Sequence, residues 1–363
     1  MRLLLCILLL ALAGLPLSAQ EPQAMPNPVL GTYGHPQAFW DAGGHLGDYG
    51  INAVFIHSGS LDANTVARAR AEGAKVFAEF ATLNGKQGAY VEQHPEAHPI
   101  DDTGSPARPA TWFMGVCPTH PGFREYRMAE LRELLDRVQL DGVWMDYLHW
   151  HAQFEDPYPQ FIKTCFNDSC VGAFESSAKV KVEGATAAEK AQWIFMNAAK
   201  AWEDWRVSVV VDWAREIHGI VKAKQPNALV GNYQVAWKDE DLGGVRRRCL
   251  GLDFEALAPH VDVYSPMIYH GRSGKSPDYV REYVAYFSEK HGVSIEPGTY
   301  PKLWPIVQAH DDPRIEPDEF EAVLRHGLIA KSTGVMMFTI GSVAADAGKM
   351  AVMKQVYTEA TTN

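Results

Sequence analysis

Two carboxylic acids stand at the ends of apolar runs that are typical of buried strands. Asp146 ends the run "DGVWMD", and Glu79 lies at the end of a second run, "AKVFAE". Burial of an ionised carboxylate without partners is unfavourable, so each group requires hydrogen-bond donors or a chemical task. Most glycosidases place two carboxyl groups at the scissile bond, one as acid and one as nucleophile or base. We therefore predict that both are catalytic. A structural Asp146 bonded to backbone amides, and a Glu79 that pairs with an Arg or His, are the alternatives.

A separate proton donor is expected after the fifth predicted strand, where "WKDEDL" offers Asp239, Glu240 and Asp241. We predict Glu240, because this loop lies beside the strand that carries Asp146. An ordinary surface loop is the alternative, and "DD" at 311–312 is a further source of carboxylates.

Other polar and aromatic residues at the predicted strand ends are expected to bind substrate, since aromatic rings suit the apolar faces of sugars. Trp112 and Trp304 belong to the same aromatic group, with a place in the core as the alternative for any single tryptophan. The predicted substrate-binding residues are Tyr33, His35, His57, Tyr147, His149, Trp150, Asn232, Gln234, Trp237, Tyr269, His270 and Gln308.

Motifs for other chemistries are weak or absent. The run "GRSGKS" at 271 lacks the first glycine of a phosphate-binding loop, because Tyr269 occupies that position. The chain contains neither H-E-x-x-H nor G-x-S-x-G. His149 and His151 are two possible metal ligands without an obvious third. The simplest prediction is a hydrolase that uses no metal and no cofactor.

These residues require a scaffold that brings strand ends together. Short β-branched or apolar runs alternate with amphipathic stretches, which indicates a parallel sheet covered by helices. Eight such strands favour a single (β/α)₈ TIM barrel over residues 29–360, in which chemistry occurs at the carboxyl ends of the strands. A doubly wound sheet is the rival, but "GTYGHP" is not a nucleotide loop. Two insertions, 83–118 after strand 3 and 151–186 after strand 4, are expected to cap one end. The predicted strands begin at residues 29, 51, 74, 141, 228, 261, 302 and 334.

Helix predictions rest on the spacing i, i+3, i+4, i+7 of apolar residues. The set Leu131, Leu134, Leu135 and Val138 shows this spacing, and a similar apolar face runs from Val210 to Ile220. Residues 277–290 and 317–331 are predicted to be further helices.

The N-terminal segment "MRLLLCILLLALAGLPLSAQ" combines a basic start, an apolar stretch and a small-residue cleavage motif. This layout predicts a signal peptide over residues 1–19, a linker over 20–28, and a secreted or periplasmic protein. A membrane anchor is the weaker alternative, because Gly14 and Pro16 interrupt a short apolar run. Loss of Arg2 takes the formal net charge from −11 to −12. An acidic chain argues against nucleic acid or an anionic membrane as partner and leaves a carbohydrate substrate.

Four cysteines follow the predicted cleavage site: Cys117, Cys165, Cys170 and Cys249. The close pair in "CFNDSC" predicts a Cys165–Cys170 disulfide in an oxidising compartment. Zinc is the alternative, although no second close pair supplies the remaining ligands. Pairing of Cys117 with Cys249 is an arithmetic possibility.

Four segments together resemble bacterial glycosyl-hydrolase-like families built on TIM barrels and distantly related to the α-amylase type. The segments are "DGVWMDYLHW", "CFNDSCVGAFE", "WEDWRVSVVVDWAREIHGIVKAKQPNALVG" and "VDVYSPMIY". The resemblance covers residues 29–345. It implies a carbohydrate-active barrel in which Asp146 is the strand-four carboxylate, and it implies a role for Arg206. The sequence departs from many α-amylase-type barrels, because its fifth strand does not end in the glutamate that serves as their acid.

The predicted function is a secreted glycoside hydrolase acting on a polysaccharide or oligosaccharide. A non-catalytic carbohydrate-binding barrel and an exported metal-dependent hydrolase or deacetylase are the alternatives. The oligomeric state is left open.

Overall fold

The computed structural model describes residues 28–362. The predicted signal peptide and residues 20–27 of the predicted linker lie outside this range. Nine strands form one sheet in the described chain, and each predicted strand corresponds to one or two of them. Their bounds are β1 Val29–Tyr33, β2 Ala53–His57, β3 Lys75–Ala81, β4 Gly142–Asp146, β5 Leu229–Val235, β6 Val263–Ile268, β7 Lys302–Leu303, β8 Ile306–Gln308 and β9 Gly334–Phe338.

The sheet closes into a barrel with eight parallel strand positions. Each strand from β1 to β5 pairs with the next, β5 pairs with β6, and β9 pairs with β1. The seventh strand position is occupied by β7 and β8, which are separated by Trp304 and Pro305, and both pair with β6. Proline has no backbone N–H to donate, which is consistent with an interruption of the ladder there. The predicted (β/α)₈ barrel is therefore confirmed, and the doubly wound sheet is excluded.

Thirteen α-helices surround the barrel in the described chain. The faces predicted from periodicity are buried: Leu131, Leu134 and Leu135 in α4, and Trp213 in α7. The helices predicted at 277–290 and 317–331 are confirmed as α10 and α11. The bounds are α1 Gln37–Asp41, α2 Ala63–Ala71, α3 Gly88–Gln93, α4 Pro121–Arg137, α5 Asp168–Ala178, α6 Ala187–Asn197, α7 Ala199–Lys224, α8 Val245–Arg248, α9 Phe254–Leu257, α10 Asp278–Lys290, α11 Pro317–Gly327, α12 Ile340–Ala344 and α13 Ala347–Thr362.

The barrel interior is packed with aromatic rings. Phe55 stacks on Phe77 with ring centroids 4.6 Å apart, and Trp144 stacks on Trp304 at 5.5 Å. Strand side chains alternate between the two faces of a sheet. Residues two positions after Phe77 and Trp144 therefore also face inward, one layer nearer the carboxyl end. Those residues are Glu79 and Asp146.

The segments after β3 and β4 contact each other over the carboxyl end of the barrel. The His151 ring is within 3.2 Å of Asn84 Oδ1 and 2.9 Å of Arg108 O, and it accepts a hydrogen bond from Gly115 N. Asn84 Nδ2 donates to Ala152 O at 2.6 Å. These bonds hold the two segments together beside Asp146. No helix within residues 28–362 is long and apolar enough to span a membrane.

The predicted Cys165–Cys170 disulfide is wrong, because both side chains are free thiols in the structure. The chain between them turns into α5, with Asn167 as the N-cap. Cys165 Sγ accepts a hydrogen bond from Ile100 N at 3.3 Å, whereas Cys170 Sγ lies 3.5 Å from Cys117 Sγ. The two cysteines are neighbours in space, but a third, Cys117, lies beside them and no disulfide joins any of the three.

Candidate active site

Asp146, Glu79 and Tyr33 lie together at the carboxyl end of the barrel. The Tyr33 hydroxyl donates to Glu79 Oε2. Glu79 and Asp146 are close enough to shift each other's pKa, and Tyr147 N donates to Asp146 Oδ1 at 2.7 Å. Glu79 is 3% exposed and Asp146 is 8% exposed. Two acids on neighbouring strands thus share a dry environment.

Burial raises the pKa of both acids. For Asp146, burial is the larger cause, and the charge of Glu79 raises its pKa further. For Glu79, burial also raises the pKa, but donation from Tyr33 and the nearby His57 oppose that effect. Glu79 is therefore the better stabilised anion, and Asp146 is the group that holds the shared proton. A carboxylic acid kept protonated in this way can donate a proton near neutral pH.

The backbone beside Asp146 is strained. Tyr147 has φ 52°, in the left-handed region that bulky residues rarely adopt. Its carbonyl accepts from Asn84 N at 3.1 Å, and the Asp146 carbonyl accepts from Thr82 N and Thr82 Oγ1. These bonds to the segment after β3 hold the turn in place. Strained residues of this kind cluster at functional sites.

A cavity of about 90 Å³ opens in front of Asp146. Its wall contains a second acid, Glu155, whose carboxylate lies 3.3 Å from Arg272 Nη2. Glu155 is half-buried, and its negative charge also raises the pKa of Asp146. The cavity therefore presents one acid that favours its protonated form and one carboxylate in an ion pair with Arg272. The other lining residues are mostly aromatic or apolar: Tyr33, Tyr147, Phe154, Tyr233, Met267, Tyr269, Ile306 and Phe338.

An adjoining cavity extends this space past Arg272. Glu155, Tyr269 and Arg272 line both cavities, and Trp237 and Lys275 line the second. Tyr269 and Trp237 are therefore brought to the same extended groove. Of the other predicted aromatic residues, Trp112 is 41% exposed and its ring centroid lies 5.8 Å from that of Tyr147, whereas Trp304 fills the barrel interior.

Asn232 and Gln234 do not face this cavity, so their predicted role in substrate binding is corrected. Tyr233 points into the barrel, and its neighbours on β5 therefore point outward. Asn232 is fully buried and donates to Met145 O at 3.1 Å. Gln234 and His149 line a separate small space that also reaches Asp146 and Tyr233. Burial lowers the pKa of His149 to about 4, so its ring is neutral at pH 7.

Trp150 and Glu240 are also corrected by the structure. Trp150 is fully buried, donates from Nε1 to Arg206 O at 3.0 Å, and stacks with the Arg206 guanidinium. It is a core residue and cannot contact a sugar. Glu240 is exposed on a turn that leads away from the mouth, and it lines neither cavity. It is therefore not positioned to donate a proton there.

The remaining predicted residues support the rim and do not line the cavity. His35 lies 3.2 Å from Thr65 Oγ1, and His57 accepts from Gly59 N. His270 is fully buried, with Nε2 2.8 Å from Glu319 Oε1. Gln308 accepts from Arg272 N at 3.1 Å and so holds the segment that carries the Arg272 guanidinium.

Glu155, Arg272 and Tyr233 are cavity residues that the sequence analysis missed. The alternation along β5 was the available signal for Tyr233. No comparable signal exists for Glu155 and Arg272, because they lie in irregular segments separated by more than a hundred residues. Among residues 28–362, the one group of three potential metal ligands is Cys117, Cys165 and Cys170, so His149 and His151 do not form a metal centre.

No protein-family model and no curated protein sequence matches this chain. Solved structures do match. The PgaB (BpsB) glycoside hydrolase domain from Bordetella bronchiseptica aligns with a TM-score of 0.66 and 12% identity, over 90% of this chain and 98% of that domain. The catalytic domain of the β-amylase from Paenibacillus polymyxa aligns at 0.59 and 10% identity, over 91% and 98%. A β-galactosidase from Marinomonas ef1 aligns at 0.63 and 12%, and this chain covers 59% of it. These likenesses establish the fold, and all three proteins are glycoside hydrolases by name.

Proposed function

We propose that this protein is a glycoside hydrolase that cleaves an oligosaccharide or polysaccharide in the cavity in front of Asp146. The observation that carries the proposal is the pair of buried acids, Asp146 and Glu79, with Asp146 in the wall of that cavity. The glycoside hydrolases with the same fold add support.

Asp146 is the general acid in this proposal. It lines the cavity, whereas Glu79 lies behind it and is 3% exposed. The charge of Glu79 keeps the proton on Asp146, which then passes to the oxygen of the leaving sugar as the glycosidic bond breaks. After the transfer Asp146 is ionised, and Glu79 still accepts the hydrogen bond from Tyr33. This role differs from the prediction from sequence, in which Glu240 was the proton donor.

Glu155 is the second carboxylate. Glycosidases need an anion opposite the acid, either to attack the sugar or to activate water. Glu155 lines the same cavity, and Arg272 holds its carboxylate at 3.3 Å. Its negative charge also stabilises the positive character that develops on the sugar ring. Tyr33, Tyr269 and Phe338 supply flat apolar walls for the sugar, with ring centroids of Tyr33 and Phe338 4.7 Å apart.

A substrate screen with matched variants tests this proposal. Purified protein is incubated with a panel of polysaccharides, and new reducing ends are measured. Asp146→Asn and Glu155→Gln are each expected to reduce kcat by about 10²-fold or more, with circular dichroism showing an intact fold. Glu240→Gln removes an exposed carboxylate outside the cavity and should leave kcat unchanged.

Two outcomes contradict the proposal. Full activity of Asp146→Asn on a substrate that the wild type cleaves excludes Asp146 as the acid. Binding of a polysaccharide by the wild type, without release of reducing ends from any member of the panel, favours a carbohydrate-binding barrel.

We also propose that the protein is exported, with cleavage after Ala19. The basic start and apolar stretch of residues 1–19 support this. N-terminal sequencing of protein recovered outside the cytoplasm should begin at Gln20. An intact Met1 on that protein would contradict cleavage.

A further inference from the structure

Three cysteines from two separate segments converge in the described chain. The Sγ atoms of Cys117, Cys165 and Cys170 all lie within 4.8 Å of one another, and each side chain is fully buried. Cys117 follows β3, and the other two follow β4. Cys170 Sγ lies 3.5 Å from Cys117 Sγ, and the Thr119 hydroxyl lies 3.1 Å from Cys170 Sγ and 3.3 Å from Cys117 Sγ. Three sulfur atoms thus lie together, with the Thr119 oxygen next to two of them.

The spacing of these atoms fits a tetrahedral zinc ion. A Zn–S bond of about 2.3 Å in tetrahedral geometry sets neighbouring sulfur atoms about 3.8 Å apart. The observed 3.5 Å between Cys117 and Cys170 is close to that value. A disulfide requires about 2.05 Å and joins only two sulfur atoms, so it leaves one of the three thiols unused. Soft thiolates select zinc over magnesium or calcium.

The N-terminus of α5 lies at the cluster. Cys170 is in the first turn of this helix, and its backbone N–H is already bonded to the N-cap Asn167. The N-terminus of a helix stabilises thiolates.

Arg206 is a buried cation, 5% exposed, and donates to the carbonyls of Arg248 and Cys249. The charges that raise its pKa are, in order, those of Cys249, Cys170, Glu203 and Cys165. Three thiolates with one zinc ion carry a net charge of minus one, which adds to the charge of Glu203 in balancing the guanidinium.

We propose that Cys117, Cys165 and Cys170 bind a structural zinc ion, with the Thr119 hydroxyl or a water beside it in the fourth position. The ion joins the segment after β3 to the segment after β4. These segments hold Tyr147 and Asp146 through the bonds from Thr82 and Asn84. The site is separate from the proposed chemistry and stands whether or not the barrel is an active enzyme.

Metal analysis of the full chain, purified in the presence of a thiol reductant, tests this proposal. The wild type is expected to contain about one zinc ion per chain. Cys117→Ser, Cys165→Ser and Cys170→Ser are each expected to lose it. Cys249→Ser is the matched control and should retain it, because Cys249 lies outside the cluster. Thr119→Val should weaken zinc binding by about 10- to 100-fold.

A measurement on the wild type covers the case in which the serine variants do not fold. The reduced protein is stripped with a chelator and titrated with Co²⁺, and thiolate-to-cobalt charge-transfer absorption is recorded in the near ultraviolet. Appearance of this band with one equivalent of cobalt, and its loss on addition of zinc, supports the site. The proposal is overturned if the reduced wild type retains neither metal in native mass spectrometry. It is also overturned if Cys249→Ser loses zinc together with the other variants.

Discussion

Replacement of Asp146 by asparagine is expected to change how the free energy of unfolding depends on pH. In the folded chain the pKa of Asp146 is raised, first by burial and then by the charge of Glu79. In the unfolded chain both acids titrate near about pH 4. Above that pH, and below the raised pKa, the folded state holds one proton more than the unfolded state. Stability therefore falls as pH rises through this window, by about 1.4 kcal/mol per pH unit for one proton.

Asparagine has no proton to lose, so this slope disappears in the variant. Its amide can donate to Glu79 in place of the Asp146 proton. The stabilities of the two proteins should differ little near pH 4 and diverge as pH rises. The repulsion of two adjacent carboxylates alone contributes about 4 kcal/mol at a separation of about 4 Å and an effective dielectric constant of about 20, and the burial of Asp146 adds to that difference. Asp146→Asn should therefore be more stable than the wild type at pH 8.

Urea unfolding followed by tryptophan fluorescence, at pH values from about 5 to about 8, measures this difference directly. Glu240→Gln is the control, because its carboxylate is exposed and outside the pair; its curve should run parallel to that of the wild type. If the wild-type and Asp146→Asn curves are parallel over the whole range, the shared proton does not exist. The assay requires no substrate, so it examines the pair independently of the proposed activity.

Three further outcomes follow from the structure. Glu79→Gln removes the charge that helps to raise the pKa of Asp146, so the alkaline limb of the kcat/KM profile should move to lower pH. At alkaline pH the variant should lose as much as the whole contribution of the acid, about 10²- to 10⁴-fold in kcat/KM. An unmoved limb would contradict this role. Gly231→Ala would place its Cβ 2.0 Å from Trp144 Cε2, and we expect a loss of about 1–3 kcal/mol or more in urea unfolding. Gly219→Ala, in the middle of α7 with no atom within 4 Å of the added Cβ, should instead gain about 1 kcal/mol in the same assay; equal effects of the two glycine variants would refute the packing described here.

The alternation of strands and helices was sufficient to predict the barrel. Eight apolar runs, each followed by a helical period, leave few other ways to bury a parallel sheet. The alternation of side chains along each strand directs the two central acids inward. Glu79 follows Phe77 by two residues, and Asp146 follows Trp144 by two, so each pair shares one face of its strand. Backbone geometry alone determines this alternation, and the sequence displays it directly.

Residue type was a weaker guide than this alternation. Asn232 and Gln234 are polar and occur near a strand end, yet both point outward, because Gly231 and Tyr233 occupy the inner face. A polar side chain can be buried between sheet and helices when a backbone carbonyl accepts its hydrogen, as Met145 O does for Asn232. Composition cannot distinguish that position from one in a cleft.

Local patterns in the sequence were enough to predict the barrel, the end at which its acids converge, and the inward direction of Glu79 and Asp146. Which side chains meet there depends on tertiary contacts. Glu155 and Arg272 come together from irregular segments, and Cys117 joins two cysteines that follow a different strand. The direction of a side chain on a strand depends on its neighbours along that strand, whereas contacts between loops depend on closure of the whole barrel. Closure fixes the register between all eight strand positions at once, and no local sequence pattern encodes that register.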